Sequence, residues 1–238
     1  MEMLIAGDAF PRGASPAPIR RMHLKRGIPP ELAAAAAAGI GFAAVARVAA
    51  ASEPTRIDRR VHDLAASAYR RSLELALLPI EIAGLPGIYI PIAGLMSRRV
   101  RRRHGRMARA DVIVGAAAAG WLALRAMRLV FHKTRPPRPP HRGPKSESSF
   151  PSGHTTGLTA LATAAGLVLE RNGIVSPLAA RAIALGIPLL VGFNRVYVRE
   201  HWLTDVVGGW LLGGSVGLAS VGLQSLAHNT KARRRRRM

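Results

Sequence analysis

The sequence contains no cysteine, only 5% aromatic residues and few acids. The absence of cysteine excludes disulfide bonds, thiolate metal sites and cysteine nucleophiles. Asp and Glu supply 13 of the 238 residues against 35 Lys and Arg, so the formal net charge is +22. With 49% hydrophobic residues and a mean hydropathy of +0.14, the chain is too apolar for a disordered basic protein and fits a soluble nucleic-acid-binding domain badly. This composition favours a basic chain that meets a membrane, an anionic ligand, or both.

The two ends of the chain are basic, and we expect both to lie outside any core. Residues 1–30 combine prolines with arginines and a lysine, which predicts a disordered cytoplasmic arm. Residues 228–238 form a basic cytoplasmic tail that ends in a run of arginines. Residues 31–227 between them form the predicted transmembrane domain.

Six apolar segments approach the length of a membrane-spanning helix, which predicts an all-α, polytopic membrane helix bundle of about six transmembrane helices. They cover residues 31–51, 73–96, 112–131, 155–169, 178–198 and 202–227. The second contains Pro79, Pro86 and Pro91, which a membrane helix can tolerate when its neighbours satisfy the freed backbone groups. For the first segment a cleaved signal peptide is the alternative, because Ala49 and Ala51 resemble the small residues of a cleavage site.

The connecting segments predict an orientation. If the arginine-rich tail is cytoplasmic, six alternating spans place residues 1–30 and the basic loop 98–110 on the same side, as the positive-inside rule requires. Both termini are then cytoplasmic in a multi-pass protein of the cell (inner) membrane. The predicted amphipathic surface helix within 52–72 and the proline-rich loop 132–153 face outward, although both carry cations.

Cations on the outer side are informative because three arginines there lie near a helix start. Arg128, Arg135 and Arg195 offer guanidinium groups, whose planar fork donates two hydrogen bonds at once to a phosphate. Ser152 at a predicted helix N-cap, with Gly153 beside it, places backbone N–H groups where they can point at an anion. Lys133 could supply an ammonium in place of the Arg128 guanidinium, although it lies at a different spacing from Arg135.

Two histidines complete this group of residues. His201 and Asp205 are spaced i, i+4, so on one helix face the carboxylate can hold one imidazole nitrogen and leave the other free to attack. His154 lies at the predicted phosphate-binding helix start. Each feature alone is more often structural. Together they provide the nucleophile and general acid that phosphoryl transfer requires.

The order and spacing of these residues resemble the type 2 phosphatidic acid phosphatase (PAP2) superfamily, which also contains the vanadium haloperoxidases. The family motifs read Lys-x6-Arg-Pro, Pro-Ser-Gly-His and Ser-Arg-x5-His-x3-Asp. The corresponding residues here are Arg128-x6-Arg135-Pro136, Pro151-Ser152-Gly153-His154 and Asn194-Arg195-x5-His201-x3-Asp205. The resemblance covers roughly residues 110–225 and implies the helical core shared by PAP2 phosphatases and haloperoxidases.

The resemblance also implies a role for each matching residue. His201 is expected to form a phosphohistidine, Asp205 to orient it and His154 to protonate the leaving oxygen. Five groups are expected to hold the phosphoryl group: Arg128, Arg135, Arg195, Ser152 and the amide of Gly153. No metal or cofactor is implied. Arg128 replaces the usual lysine and Asn194 the usual serine, which changes donor geometry in the first case and keeps a hydrogen-bonding side chain in the second.

The function expected from this resemblance is hydrolysis of a phosphomonoester or diphosphate of a lipid, such as phosphatidic acid, phosphatidylglycerol phosphate or a prenyl phosphate or diphosphate. The partners are then the lipid substrate and membrane lipids, with no nucleic acid, and the active site lies on the extracytoplasmic face. Two alternatives stay open: a vanadate-dependent peroxidase, and a non-catalytic basic protein that binds anionic lipid or nucleic acid.

Overall fold

The computed structural model of the chain describes residues 28–105, 108–143, 145 and 147–237, and every regular element in these ranges is helical. The predicted all-α fold is confirmed. Residues 1–27 of the predicted arm lie outside the described residues. The helices are α1 (Pro30–Ala49), α2 (Arg56–Ala68), α3 (Arg71–Ala76), α4 (Leu78–Ala83), α5 (Pro86–His104), α6 (Asp111–Val130), α7 (Gly153–Arg171), α8 (Pro177–Arg181), α9 (Ile187–Tyr197) and α10 (Leu203–Arg237). A π-helical turn, Ala182–Gly186, joins α8 to α9.

Helix α7 is the centre of the bundle, packed by α10, α6, α9 and α5. Most of its residues are buried, which lets it carry several threonines without exposing them to lipid. Gly209, Gly213 and Gly217 of α10 face it at four-residue intervals. A Cβ on Gly213 would lie 2.4 Å from the Thr156 carbonyl oxygen, so only glycine allows this close approach.

Four of the described helices are long and apolar enough to cross a membrane. They are Pro30–Ala49, Asp111–Val130, Pro177–Tyr197 and Leu203–Thr230. Helices α5 and α7 are 19 residues long each, but their sequences are more polar: α5 ends in arginines and α7 is enclosed by the others. The count of about six spans therefore stays a prediction.

The predicted continuous helix over residues 73–96 is wrong. The chain forms α3 and α4 there, each six residues long, and begins α5 at Pro86. Pro79 lies in the first turn of α4 and Pro86 starts α5, positions where a missing N–H costs no hydrogen bond. Helix α5 then continues to His104, so the first half of the expected basic loop 98–110 is helical.

The motif residues gather at one end of the bundle, called here the site end. It contains the C-terminus of α6, the N-termini of α7 and α10, and the loop 131–152, which is irregular apart from a short turn at Pro140–Arg142. The predicted loop is confirmed. Phe150 of this loop packs between Phe42 of α1 and Phe131, with ring centroids 5.8 and 5.0 Å away.

The opposite end of the bundle, called here the far end, is closed by ion pairs. Glu31 at the start of α1 pairs with Arg171 at the end of α7, and Arg101 of α5 lies 2.9 Å from Asp111 of α6.

The predicted amphipathic helix within 52–72 is confirmed as α2, which packs on α9 and α10. A capping box between Thr55 and Asp58 starts it.

Candidate active site

Hydrogen bonds to backbone groups, and one close side-chain approach, join the three motifs at the site end. The Ser152 N–H donates to the Asp205 carbonyl oxygen at 3.0 Å, which joins the second motif to the third. Arg135 Nη1 donates to the Glu200 carbonyl oxygen at 2.9 Å, which joins the first to the third. A Cβ on Gly153 would lie 3.4 Å from Arg128 Nη2, so the Arg128 guanidinium lies beside the start of α7. The eight site residues expected from the sequence therefore lie at one end of one bundle.

His201 and Asp205 form a buried pair in the turn that enters α10. His201 Nδ1 lies 3.5 Å from Asp205 Oδ2, just longer than a normal hydrogen bond. The same carboxylate oxygen accepts the Trp202 N–H at 2.9 Å, which fixes its direction. Burial, helped by the positive charge of Arg135, lowers the pKa of His201 to about 4 against the opposing effect of Asp205. His201 is therefore neutral at physiological pH.

His154 lies in the first turn of α7, as predicted. Its Nε2 is 3.0 Å from the Glu81 carbonyl oxygen at the end of α4. Gly84 lies directly against the imidazole, because a Cβ there would lie 2.1 Å from His154 Cδ2. The joint between α4 and α5 thus sets the position of the imidazole.

Ser152 occupies the N-cap position of α7, as predicted, but its side chain makes no capping bond. Its Oγ is buried and accepts from the Thr155 hydroxyl at 2.9 Å. The first-turn N–H groups of α7, including that of Gly153, are left without this side-chain partner. They add partial positive charge beside Arg128, an arrangement suited to an anion.

The other two arginines are held by different partners. Arg135 donates from Nε to the Glu147 carbonyl oxygen at 3.0 Å and from Nη2 to the Ser148 carbonyl oxygen at 3.3 Å. Arg195 is buried, and its Nε donates to Asn194 Oδ1 at 2.7 Å. Asn194, at the position of the family serine, therefore holds the arginine beside it.

Three carboxylates cluster beside the site. The sequence gives no sign that they form a group. Arg142 is its centre, with nitrogens 2.6 Å from Glu74 Oε1, 2.8 Å from Glu81 Oε2 and 2.9 Å from Glu200 Oε1. Burial opposes ionisation of these acids, but hydrogen bonds and positive charges around them hold the pKa of each at about 2. His141, which is exposed, lies 3.0 Å from Glu74 Oε2. The loop that carries Arg142 is thereby fastened to α3 and α4.

The structure corrects the expectation that Lys133 could serve the anion. Its ammonium is buried 3.1 Å from Asp58 Oδ2 and 3.1 Å from Asp205 Oδ1, whereas His201 lies against the other oxygen of Asp205. Within the described ranges, no cluster of three or more His, Asp or Glu side chains is arranged to hold a metal ion.

Comparison with known proteins places this site in context. The sequence model of the PAP2 superfamily matches residues 108–228, just over half of the chain. An undecaprenyl-diphosphatase of Sulfolobus acidocaldarius is 36% identical over 80 residues, 34% of this chain and 35% of that protein. The chain matches only about a third of the length of this curated relative. A transmembrane PAP2-type phosphatidylglycerolphosphate phosphatase of Bacillus subtilis has a similar fold, with a TM-score of 0.69 and 18% identity over 80% of this chain and 96% of that one.

Proposed function

The chain belongs to the PAP2 superfamily, and from this membership we propose that it is a membrane-bound phosphatase that removes a phosphate or diphosphate group from a lipid. The observation that carries the proposal is the buried pair of His201 and Asp205, set beside the start of α7 and three arginines. The similarity to an undecaprenyl-diphosphatase and the fold shared with a phosphatidylglycerolphosphate phosphatase support the same class of substrate.

In the proposed reaction, neutral His201 donates its Nδ1–H towards Asp205 and attacks phosphorus through Nε2. A nitrogen–phosphorus bond forms while the bond from phosphorus to the lipid oxygen breaks. His154 gives a proton to that oxygen through the ring nitrogen not engaged with Glu81. Water then attacks the phosphohistidine, His154 takes back a proton, and phosphate leaves with His201 restored.

The arginines and the start of α7 hold the phosphoryl oxygens in this scheme. Arg128, Arg135 and Arg195 neutralise the dianion, and the Gly153 N–H with the helix dipole adds to the stabilisation of charge in the transition state. Ser152 holds the turn through its bond to Thr155 and its N–H to Asp205. In this scheme the chain supplies the nucleophile, the general acid and the groups that hold the phosphate, and water supplies the second nucleophile.

A lipid substrate follows from the position of the site at the end of a membrane bundle. The acyl or prenyl chain can stay in the bilayer while the phosphate reaches the arginines. The orientation we propose is multi-pass in the cell membrane with the site end outside. It is supported by the basic residues of α5, such as Arg101, Arg102 and Arg103, which lie towards the far end, where the positive-inside rule expects a cytoplasmic surface.

The test is phosphate release by the purified protein in detergent, using lipid phosphates and diphosphates in which headgroup and chain are varied separately. We expect release that survives a chelator and is lost in His201→Ala. The matched control is His104→Ala at the far end, which should keep wild-type turnover. Full activity in His201→Ala would contradict the mechanism.

The same preparation separates the two alternatives. Vanadate should inhibit the phosphatase by occupying the phosphate site, whereas a peroxidase would need vanadate for halide oxidation. A non-catalytic binding protein would bind anionic vesicles equally well with or without His201 and release no phosphate from any lipid.

A further inference from the structure

Lys133 is a buried lysine enclosed between two buried aspartates. Its side chain is 1% exposed, and those of Asp58 and Asp205 are each 0% exposed. Its ammonium lies 3.1 Å from an oxygen of each. Buried ions of this kind are costly unless they are fully paired. The chain contains only 13 acidic residues, and two of them are buried here beside one lysine.

Asp58 is the more firmly fixed of the two carboxylates. It accepts the Thr204 N–H and hydroxyl, both at 2.8 Å, and the Thr55 N–H at 3.0 Å, in addition to Lys133. Burial would raise the pKa of Asp58, but the N–H groups of Thr204 and Thr55 and the lysine charge outweigh it and hold the pKa below its ordinary value. Asp58 thereby joins α2 to the first turn of α10.

The backbone around Lys133 is fixed as well. The Ser149 N–H donates to the Lys133 carbonyl oxygen at 2.9 Å, and Trp202 Nε1 donates to the Thr134 carbonyl oxygen at 2.7 Å. Lys133 also donates to the hydroxyl of Thr204. The described partners of the ammonium are thus the two aspartates and the Thr204 hydroxyl.

The two oxygens of Asp205 have different partners. Oδ2 faces His201 and accepts from Trp202, while Oδ1 faces Lys133. The charges of Asp58, Lys133 and Asp205 sum to one negative charge behind the imidazole. Without the ammonium, two neighbouring buried carboxylates would share the site, and one of them would have to take up a proton. Asp58 would keep three donors, so the proton would go to Asp205.

From this arrangement we propose that Lys133 and Asp58 are positioning residues for the catalytic pair. Lys133 keeps Asp205 ionised with Oδ2 towards His201, and Asp58 holds Lys133 in place. The inference rests on the proposed phosphatase function and extends the site to α2, outside the three motifs. Neither residue contacts the phosphate in this proposal.

The experiment compares Lys133→Met, Asp58→Asn and the double variant in the phosphate-release assay, with inorganic phosphate as a competitive inhibitor. Lys133→Met should lower kcat about 10- to 100-fold, the range typical of residues that orient a catalytic ligand from behind it. KM and the inhibition constant of phosphate should stay within about twofold, because Lys133 does not bind the phosphate.

The double variant carries the discriminating result. Removing Asp58 together with Lys133 returns the net charge behind His201 to one negative charge, so Asp205 no longer needs a proton. We expect kcat of the double variant to exceed that of Lys133→Met, a non-additive recovery that a packing defect would not produce. Asp58→Asn alone should lower kcat with KM unchanged. Asp63→Asn, an exposed change on the same helix, should leave kcat unchanged.

Three results would overturn the inference: wild-type kcat in Lys133→Met, a raised phosphate inhibition constant with unchanged kcat, or a double variant as slow as the product of the single effects. If Lys133→Met does not fold, the isosteric Asp58→Asn is the test. A lower kcat with unchanged KM would support the inference, and an unchanged kcat would overturn it. A wild-type protein that releases no phosphate from any lipid would instead remove the proposed function itself.

Discussion

Glu81 Oε2 lies 3.3 Å from Arg195 Nη2, so the guanidinium group that we propose binds phosphate is already paired with a carboxylate. The same carboxylate is held by Arg142, with Oε1 and Oε2 3.0 and 2.8 Å from its two terminal nitrogens. Burial would raise the pKa of Glu81, but Arg142 and Arg195 hold it at about 2, so the carboxylate stays ionised at every pH well above that value. A phosphate dianion therefore enters the site in competition with Glu81.

The first prediction concerns this competition. Glu81→Gln removes the negative charge and keeps the shape and the backbone carbonyl that faces His154. Inorganic phosphate should then inhibit at least about fivefold more strongly, because two like charges about 4 Å apart repel by ~1 kcal/mol even in bulk water. The measurement is the competitive inhibition constant, with the exposed Glu53→Gln as control. Unchanged or weaker inhibition would show that Glu81 does not oppose the anion.

The second prediction is a pH profile. The pKa of His201 is lowered to about 4 from 6.5 by burial and by Arg135 and Arg195, against the opposing effect of Asp205. Protonated His201 cannot attack, and the proton is lost above the pKa, so the acid limb of kcat/KM that belongs to His201 should lie near pH 4 and not near pH 6.5. Two substrates with different phosphate pKa values separate the limbs, since only the substrate limb moves. A His201 limb at pH 6.5 in both would contradict the burial.

The third prediction uses the contact between Gly84 and His154. Gly84→Ala would place a methyl group 2.1 Å from the imidazole Cδ2, so the ring must move. A displacement of about 1 Å of a catalytic group can cost about 100-fold in rate, and we expect a loss of kcat of that order. Gly87→Ala is the matched control, because a Cβ there meets nothing within 4 Å. Equal kcat in the two variants would mean that the joint between α4 and α5 does not position His154.

The part of the site that could be predicted from sequence is the part whose spacing reflects local geometry. His201 and Asp205 are four residues apart and meet at the start of α10, although His201 lies in the turn before the helix. Ser152 and Gly153 lie at the start of α7, as a short-range rule predicts. The helix break at Pro86 also had a local signal. A single span that tolerates its prolines is one interpretation of this segment, but Pro79 lies in the first turn of α4 and Pro86 begins α5.

The part that could not be predicted depends on contacts between distant segments. Lys133 meets Asp58 across 75 positions, and Arg142 meets Glu74 across 68. No pattern in one sequence links such pairs, because their proximity is set by the packing of α2, α3 and α10. Glu200 lies next to His201 in sequence, yet its importance as a partner of Arg138 and Arg142 emerges only when the loop folds over it.

The fourth prediction addresses the arginine at the family's lysine position. Arg128 is mostly buried and pairs with the exposed Glu147 at 3.0 Å, a contact that is worth little by itself. If its charge beside α7 is what binds phosphate, Arg128→Lys should keep kcat/KM within about threefold while Arg128→Ala loses about tenfold or more. Arg125→Ala, exposed on the same helix, is the control. Equal losses in the lysine and alanine variants would show that the fork geometry, and not the charge, is required.

The last prediction tests the orientation of the protein in the membrane. Because the sequence contains no cysteine, a thiol reagent can react only with a cysteine that is introduced. Asp63 is exposed on α2 at the site end, and Arg103 is exposed in the last turn of α5 towards the far end. A membrane-impermeant thiol reagent should label Asp63→Cys in intact cells and Arg103→Cys only after permeabilisation, because the basic far end faces the cytoplasm in the proposed topology. Both variants should react equally in detergent, which controls for accessibility. The reverse pattern in intact cells would place the catalytic histidines on the cytoplasmic face and require a cytoplasmic lipid phosphate as substrate.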